Sequence, residues 1–97
     1  MKIRLTSEAK NDLKNIPKNH QEIVLERLRE LEDRPVGHKN TKLIHIKSYQ
    51  LFRYKIKSSR GDKDYRAVYD IDDGYIKVIA VFHRDEGYNK DSLNSRL

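Results

Sequence analysis

The chain has no cysteine, so neither a disulfide framework nor a thiolate metal site is open to it. It has only two prolines and four glycines, and no repeat, linker or low-complexity tract interrupts it. No apolar run approaches the roughly 18 to 20 residues that span a bilayer. The opening stretch MKIRLTSEAK lacks the apolar core of a signal peptide, so the expectation is a cytoplasmic protein with no membrane partner. A Walker loop, a dinucleotide-binding glycine pattern, a nucleophile elbow and a zincin helix are all missing. The four histidines, His20, His38, His45 and His83, show no metal-ligand spacing, so no metal and no cofactor is expected.

What the 97 residues do have is charge, and it is unevenly placed. The net charge is +6, from 21 Lys and Arg against 15 Asp and Glu. Residues 38–66 alone hold nine cations and two acids, so the whole excess lies in the middle third. A segregated basic surface suits a polyanion, nucleic acid being the commonest, while a solvated solubilising face is the plainer reading. The length fits one small domain with one modest core, taken as residues 1–97.

The hydrophobic pattern predicts an α+β fold. MKIRL alternates as a short strand, Thr6 or Ser7 then caps a helix carrying Ala9, Leu13 and Ile16 on one face, and Pro17 ends it. Asn19 and Glu22 resemble a capping box for a second helix with Val24, Leu28 and Leu31 inward, stopped by Arg34 to Gly37. The two helices are expected as an antiparallel hairpin. LIHIKS reads as a short extended stretch, and QLFRYKIKS, YRAVYDI and YIKVIAVFHR as a three-stranded antiparallel meander. Asp73-Gly74 marks a tight hairpin between the last two strands, and the continuous apolar middle of the last one predicts cover on both faces. A short C-terminal helix starts near Lys90. Helices gathered on one face of the sheet complete the architecture.

The candidate chemistry is a set of cations and tyrosines. Arg53, Lys55 and Lys57 project from one face of one strand, spaced by about 6.5 to 7 Å, as phosphates are along an extended strand. A ladder of this kind also serves to deter edge pairing. Arg66 sits in an apolar strand, where it must reach an anion or solvent, and Asp70 is a possible internal partner. Arg84 ends the last strand with His83 before it and Tyr88 after it, and His83 alternates to the opposite face. Such a set suits RNA cleavage in which a ribose 2′-hydroxyl attacks the adjacent phosphorus. Arginine forks stabilise the phosphorane charge, and lysine or tyrosine moves the protons.

These segments together resemble the RelE/ParE superfamily of toxins from type II toxin–antitoxin pairs, in particular the RelE-like mRNA interferases. The resemblance runs over nearly the whole chain: EAKNDLKNIP, LRELEDRP, YKIK, DYRAVYDID and IKVIAVFHRDEGY. It implies a ribosome-dependent endonuclease that cuts mRNA in the A site of the 30S subunit without a metal, and a cognate antitoxin partner. By position, Arg66 and Arg84 would stabilise the scissile phosphate. Tyr88 would orient a base and assist proton transfer. Lys55 and Lys57 would hold the RNA backbone, with Lys57 as a candidate acid or base, and Arg53 and Arg60 would extend the RNA-binding set. The SSRGDKD connection is longer than the family's usual turn. Two other readings stay open: a ParE-like inhibitor of DNA gyrase, and a non-catalytic RNA- or ribosome-binding module.

Overall fold

A computed structural model of the chain describes residues 1–57, 64–86 and 89–97. Strand β1, Lys2–Leu5, alternates exposed and half-buried residues as its sequence does. It leads into α1, Ser7–Lys14, whose N-cap is Thr6: its Oγ1 accepts from the Ala9 amide at 3.1 Å. Ala9 and Leu13 are the buried residues of this helix.

Helix α2, Lys18–Glu30, begins earlier than the capping-box reading placed it. Pro17 is the N-cap, and Asn19 lies inside the first turn. Proline needs no amide partner, its φ of −53° is already close to helical, and its carbonyl accepts from the Gln21 amide at 3.0 Å. The Gln21 side chain in turn donates to the Ile16 carbonyl at 2.9 Å, closing the junction between the helices.

Four strands follow: β2, Thr41–Ile46; β3, Tyr49–Ile56; β4, Tyr65–Asp72; and β5, Tyr75–His83. The stretch read as extended is thus β2, a fourth strand of the meander. The sheet order is β1-β5-β4-β3-β2, with β1 parallel to β5 and every other pairing antiparallel. The β4–β5 hairpin turns at Asp73 and Gly74, with φ of 50° and 80°, the left-handed pair that a two-residue turn requires. A final helix, α3, Lys90–Ser95, is capped by Asn89, whose side chain accepts from the Asp91 amide.

The sheet is covered on both sides. On one face α1 and α2 pack Ala9, Leu13, Val24, Leu28 and Leu31 against Tyr54, Ile56, Tyr65, Tyr69, Ile76 and Val78. On the other, Leu93 of α3 closes a smaller cluster with Ile44, Ile46, Leu51, Val68, Ile79 and Ala80. Strand β5 contributes to both, which is why its middle is apolar throughout. Its register slips at the Val68/Tyr69 step, where Val68 faces Ala80 and Tyr69 faces Val78, leaving Ile79 as the extra residue of a bulge.

β1 stops at Leu5, so the edge of β5 beyond Val78 has no strand neighbour on that side. Asp12 of α1 takes over: its Oδ2 accepts from the Val81 amide at 3.0 Å. Arg96, just after α3, forks onto Asp12 at 2.7 and 3.1 Å and donates to the Ile79 carbonyl at 3.0 Å. One carboxylate thereby joins α1, the β5 edge and the C-terminal segment. Among the described residues no helix is long and apolar enough to cross a membrane.

Candidate nucleic-acid interface

The parity of each strand decides which side chains meet. Tyr54 and Ile56 belong to the helix-covered face, so Arg53 and Lys55 project from the other one, and Lys57 follows as the exposed residue after the strand. Tyr65 and Ala67 likewise turn inward, which puts Arg66 on the same outer face. Register then sets them side by side: Lys42 is opposite Arg53, Arg53 opposite Val68, Lys55 opposite Arg66, and Arg66 opposite Phe82. Residues directly opposite in antiparallel strands are roughly 4.5 to 5.5 Å apart at Cα. Two cross-strand cation pairs therefore lie next to each other on one face.

Arg84 joins this group from the end of β5. Its amide donates to the Asp64 carbonyl at 2.8 Å, which prolongs the β4–β5 ladder by one residue and fixes where the arginine leaves the sheet. The Arg66 guanidinium donates to the Tyr65 carbonyl at 3.1 Å. Burial, then the positive charges of Arg53 and Arg84, pull Arg66 below the usual arginine range, while Asp64 acts the other way. Arg53 and Arg84 thus both lie close enough to Arg66 to act on its charge. Arg53 adds a second cost: its Nε is buried and has no hydrogen-bond partner among the described residues. Like charges placed opposite each other, and a buried donor left unpaired, work against folding. An anion at this face offsets like charges there, and the oxygens of a phosphodiester suit guanidinium forks and ammonium groups together.

The sequence placed Arg53, Lys55, Lys57, Arg66 and Arg84 in the candidate set. The structure brings Arg53, Lys55, Arg66 and Arg84 together on the outer face, with Lys57 at its edge. From there Lys55 and Lys57 lead into a cleft of about 220 Å³ between α2 and the end of β3, which His38, Lys39 and the paired Arg27 and Glu30 also line. Arg60 and Tyr88 lie outside the described residues. Asp70, weighed as an internal partner for Arg66, accepts from the Ile71 amide at 2.9 Å and faces Lys77 in register. Lys42 was missed by the sequence reading. Its spacing by two from Ile44 and Ile46 in TKLIHI was the available signal, and it becomes decisive only once β2 is a strand in register with β3.

Two comparisons bear on this geometry. The family model for the ParE toxin of the type II toxin–antitoxin system, parDE, matches residues 3–88. This chain belongs to the RelE/ParE superfamily of type II toxins. No curated protein sequence is significantly similar to it. Among solved structures, it is similar to the toxin–antitoxin complex RelBE2 of Mycobacterium tuberculosis, at 27% identity and a TM-score of 0.67 over 86% of this chain and 96% of that one. The fold is shared with the archaeal RelE-RelB complex of Pyrococcus horikoshii, at 23% identity and a TM-score of 0.62 over 86% and 93%. It is shared as well with an arginine double mutant of the E. coli toxin RelE in the free state, at 21% identity and 0.69 over 98% and 90%. The α+β architecture expected from the sequence is that of these toxins, and the chain is the toxin of a type II toxin–antitoxin system.

Proposed function

We propose that this toxin is a ribosome-dependent mRNA endonuclease, acting as one domain over residues 1–97 in the cytoplasm and blocking translation by cutting the codon in the A site. The convergence of Arg53, Arg66 and Arg84 with Lys55 on one sheet face carries this reading. A 2′-oxygen attacks the adjacent phosphorus as a base removes its proton. The P–O5′ bond breaks as an acid protonates the departing oxygen, leaving a 2′,3′-cyclic phosphate. Arg66 and Arg84 hold the non-bridging oxygens as negative charge grows on them, which is commonly the largest catalytic contribution. Lys55, Arg53 and Arg60 track the backbone, Lys57 and Tyr88 serve proton transfer and base placement, and no metal is required. Lysine and tyrosine ordinarily titrate near 10, so the reaction is slow unless the ribosome positions the RNA. A cognate antitoxin, as in the RelE-RelB complexes of similar fold, would hold the toxin inactive.

Induced expression should arrest growth, and primer extension on translated mRNA should show cuts inside codons that vanish in Arg66→Ala and Arg84→Ala. Normal translation at high toxin levels overturns the reading. The match to the ParE family model favours a second one, inhibition of DNA gyrase by binding. Supercoiling by purified gyrase with the toxin added decides it: unimpaired supercoiling excludes that activity.

A further inference from the structure

Outside the cationic face, three aromatic rings from three elements meet edge to face where β4 begins and β5 ends. His20 of α2 and Tyr65 of β4 have ring centroids 5.6 Å apart, and Tyr65 and His83 of β5 are 5.3 Å apart. Tyr65 is only 2% exposed, and its hydroxyl lies 3.0 Å from His20 Nδ1. Burial, followed by the charges of Asp64 and Glu86, raises the Tyr65 phenol above its ordinary range, so it is held neutral.

The residues after this cluster are built on His83. The Asp85 amide donates to His83 Nδ1 at 3.1 Å, the His83 amide donates to Glu86 Oε1 at 3.2 Å, and the Glu86 amide donates to the His83 carbonyl at 3.0 Å. Arg84 is the residue enclosed by these bonds, and its own amide is fixed to the Asp64 carbonyl. A nitrogen that accepts from an amide carries a lone pair, so the ring proton resides on Nε2. An acceptor on residue i taking the amide of residue i+2 does what an asparagine carbonyl does in an Asx turn. Tyr65 stands edge-on against the ring and is bonded in turn to His20. The charged groups around it are the Asp85 carboxylate, 3.5 Å from Nδ1, and those of Glu86 and Asp64.

We propose that His83 is the positioning residue for Arg84: as the Nε2–H tautomer, clamped edge-on by Tyr65, it forms the turn that aims the arginine at the phosphate. The kinetic consequence rests on the endonuclease reading, whereas the turn geometry does not. Two kinds of measurement on the purified toxin therefore separate them. Nitrogen-15 spectra of the wild-type imidazoles should show His83 with a bare Nδ1, and the Asp85 amide should exchange slowly with solvent. In His83→Ala that protection is lost, and in His83→Asn, which restores an acceptor to the turn, it returns. In single-turnover cleavage of ribosome-bound mRNA, His83→Ala should lower the saturating rate constant roughly 10- to 100-fold, with the half-saturating concentration within about twofold of wild type. His83→Asn should recover most of the rate, a rescue that general packing at this site would not give.

Where His83→Ala fails to fold, Tyr65→Phe keeps the ring and removes the bond to His20; it should speed Asp85 exchange and lower the saturating rate, again without changing half-saturation. A proton on Nδ1, an Asp85 amide that exchanges freely in the wild type, or a His83→Asn variant as slow as His83→Ala overturns the proposal. A wild type that leaves ribosomal mRNA uncut overturns the endonuclease reading instead, and the tautomer and amide exchange then decide the geometry alone.

Discussion

Lys55 on β3 stands directly opposite Arg66 on β4, cation against cation, in the interior of a sheet face. Opposite charges at such a site stabilise a strand pair by a few tenths of a kcal/mol and like charges weaken it. The fold tolerates the weaker choice twice, since Lys42 faces Arg53 in the same way. Burial, Arg53 and Arg84 all push Arg66 toward its neutral form, and Asp64 acts the other way.

The first prediction concerns salt. Single-stranded RNA releases condensed counterions as each phosphate is neutralised, with a slope of about −0.7 in log K against log salt per contact. Binding of an uncleavable RNA, deoxy at the scissile ribose, should lose roughly one such increment in Lys55→Ala and another in Arg66→Ala. Titrations at several salt concentrations measure this. An unchanged slope in Lys55→Ala means the lysine does not meet phosphate.

Much of this arrangement was legible because the strands alternate cleanly. Once Phe52, Tyr54 and Ile56 are assigned inward, Arg53 and Lys55 must face outward. The Asp73-Gly74 hairpin aligns β4 with β5. The Ile79 bulge was not legible, because a run with apolar residues at every position keeps the same pattern when the register slips. The start of α2 was misplaced because Pro17 opens the helix with no side-chain cap bond, so no capping signature marks the true start. Contacts between residues far apart in the chain left no local trace. His20 and Tyr65 are 45 residues apart, and Asp12 and Arg96 are 84.

That last pair carries the second prediction. Asp12 and Arg96 are 17% and 23% exposed, and the carboxylate serves both the Arg96 fork and the Val81 amide. Bonding to Asp12 raises the Arg96 guanidinium above its ordinary range, against the effect of burial. Asp12→Ala leaves a buried amide without its partner and a largely buried cation without its charge. The expected loss is roughly 2 to 3 kcal/mol of stability by urea unfolding. Asp12→Asn keeps an acceptor for Val81 and should lose less. Equal losses for the two variants would place the whole effect in the ion pair.

Alkaline pH supplies the third. Tyr69 is fully buried, stacked on Phe52 with centroids 5.1 Å apart, and its hydroxyl donates to the Pro35 carbonyl at 2.7 Å. Burial, opposed by a hydrogen bond with Thr41, pushes its phenol up to about 12. The folded state then holds a proton that the unfolded chain releases near 10, so this contribution is fully present below about pH 10 and is lost as pH rises to about 12. Its size is roughly 2 to 3 kcal/mol, one pKa unit being about 1.4 kcal/mol. Tyr54 and Tyr65 are also raised by burial and act in the same direction. Urea midpoints should fall through this window, and Tyr69→Phe should make the fall shallower. A midpoint independent of pH there would show that the phenol ionises freely in the folded protein.

Arg53 tests whether the outer face gives up stability for binding. Its Nε is buried without a hydrogen-bond partner among the described residues, and its charge adds to the repulsion on Arg66. An unsatisfied buried donor costs about 1 to 3 kcal/mol, and methionine keeps the apolar stem while deleting both donor and charge. Arg53→Met should therefore raise stability by roughly 1 kcal/mol in urea or thermal unfolding. The same change should weaken binding of the uncleavable RNA and lower its salt slope by about 0.7. The two signs distinguish a binding residue from a structural one. If Arg53→Met is less stable and binds RNA unchanged, the arginine packs the sheet and the phosphate track begins at Lys55.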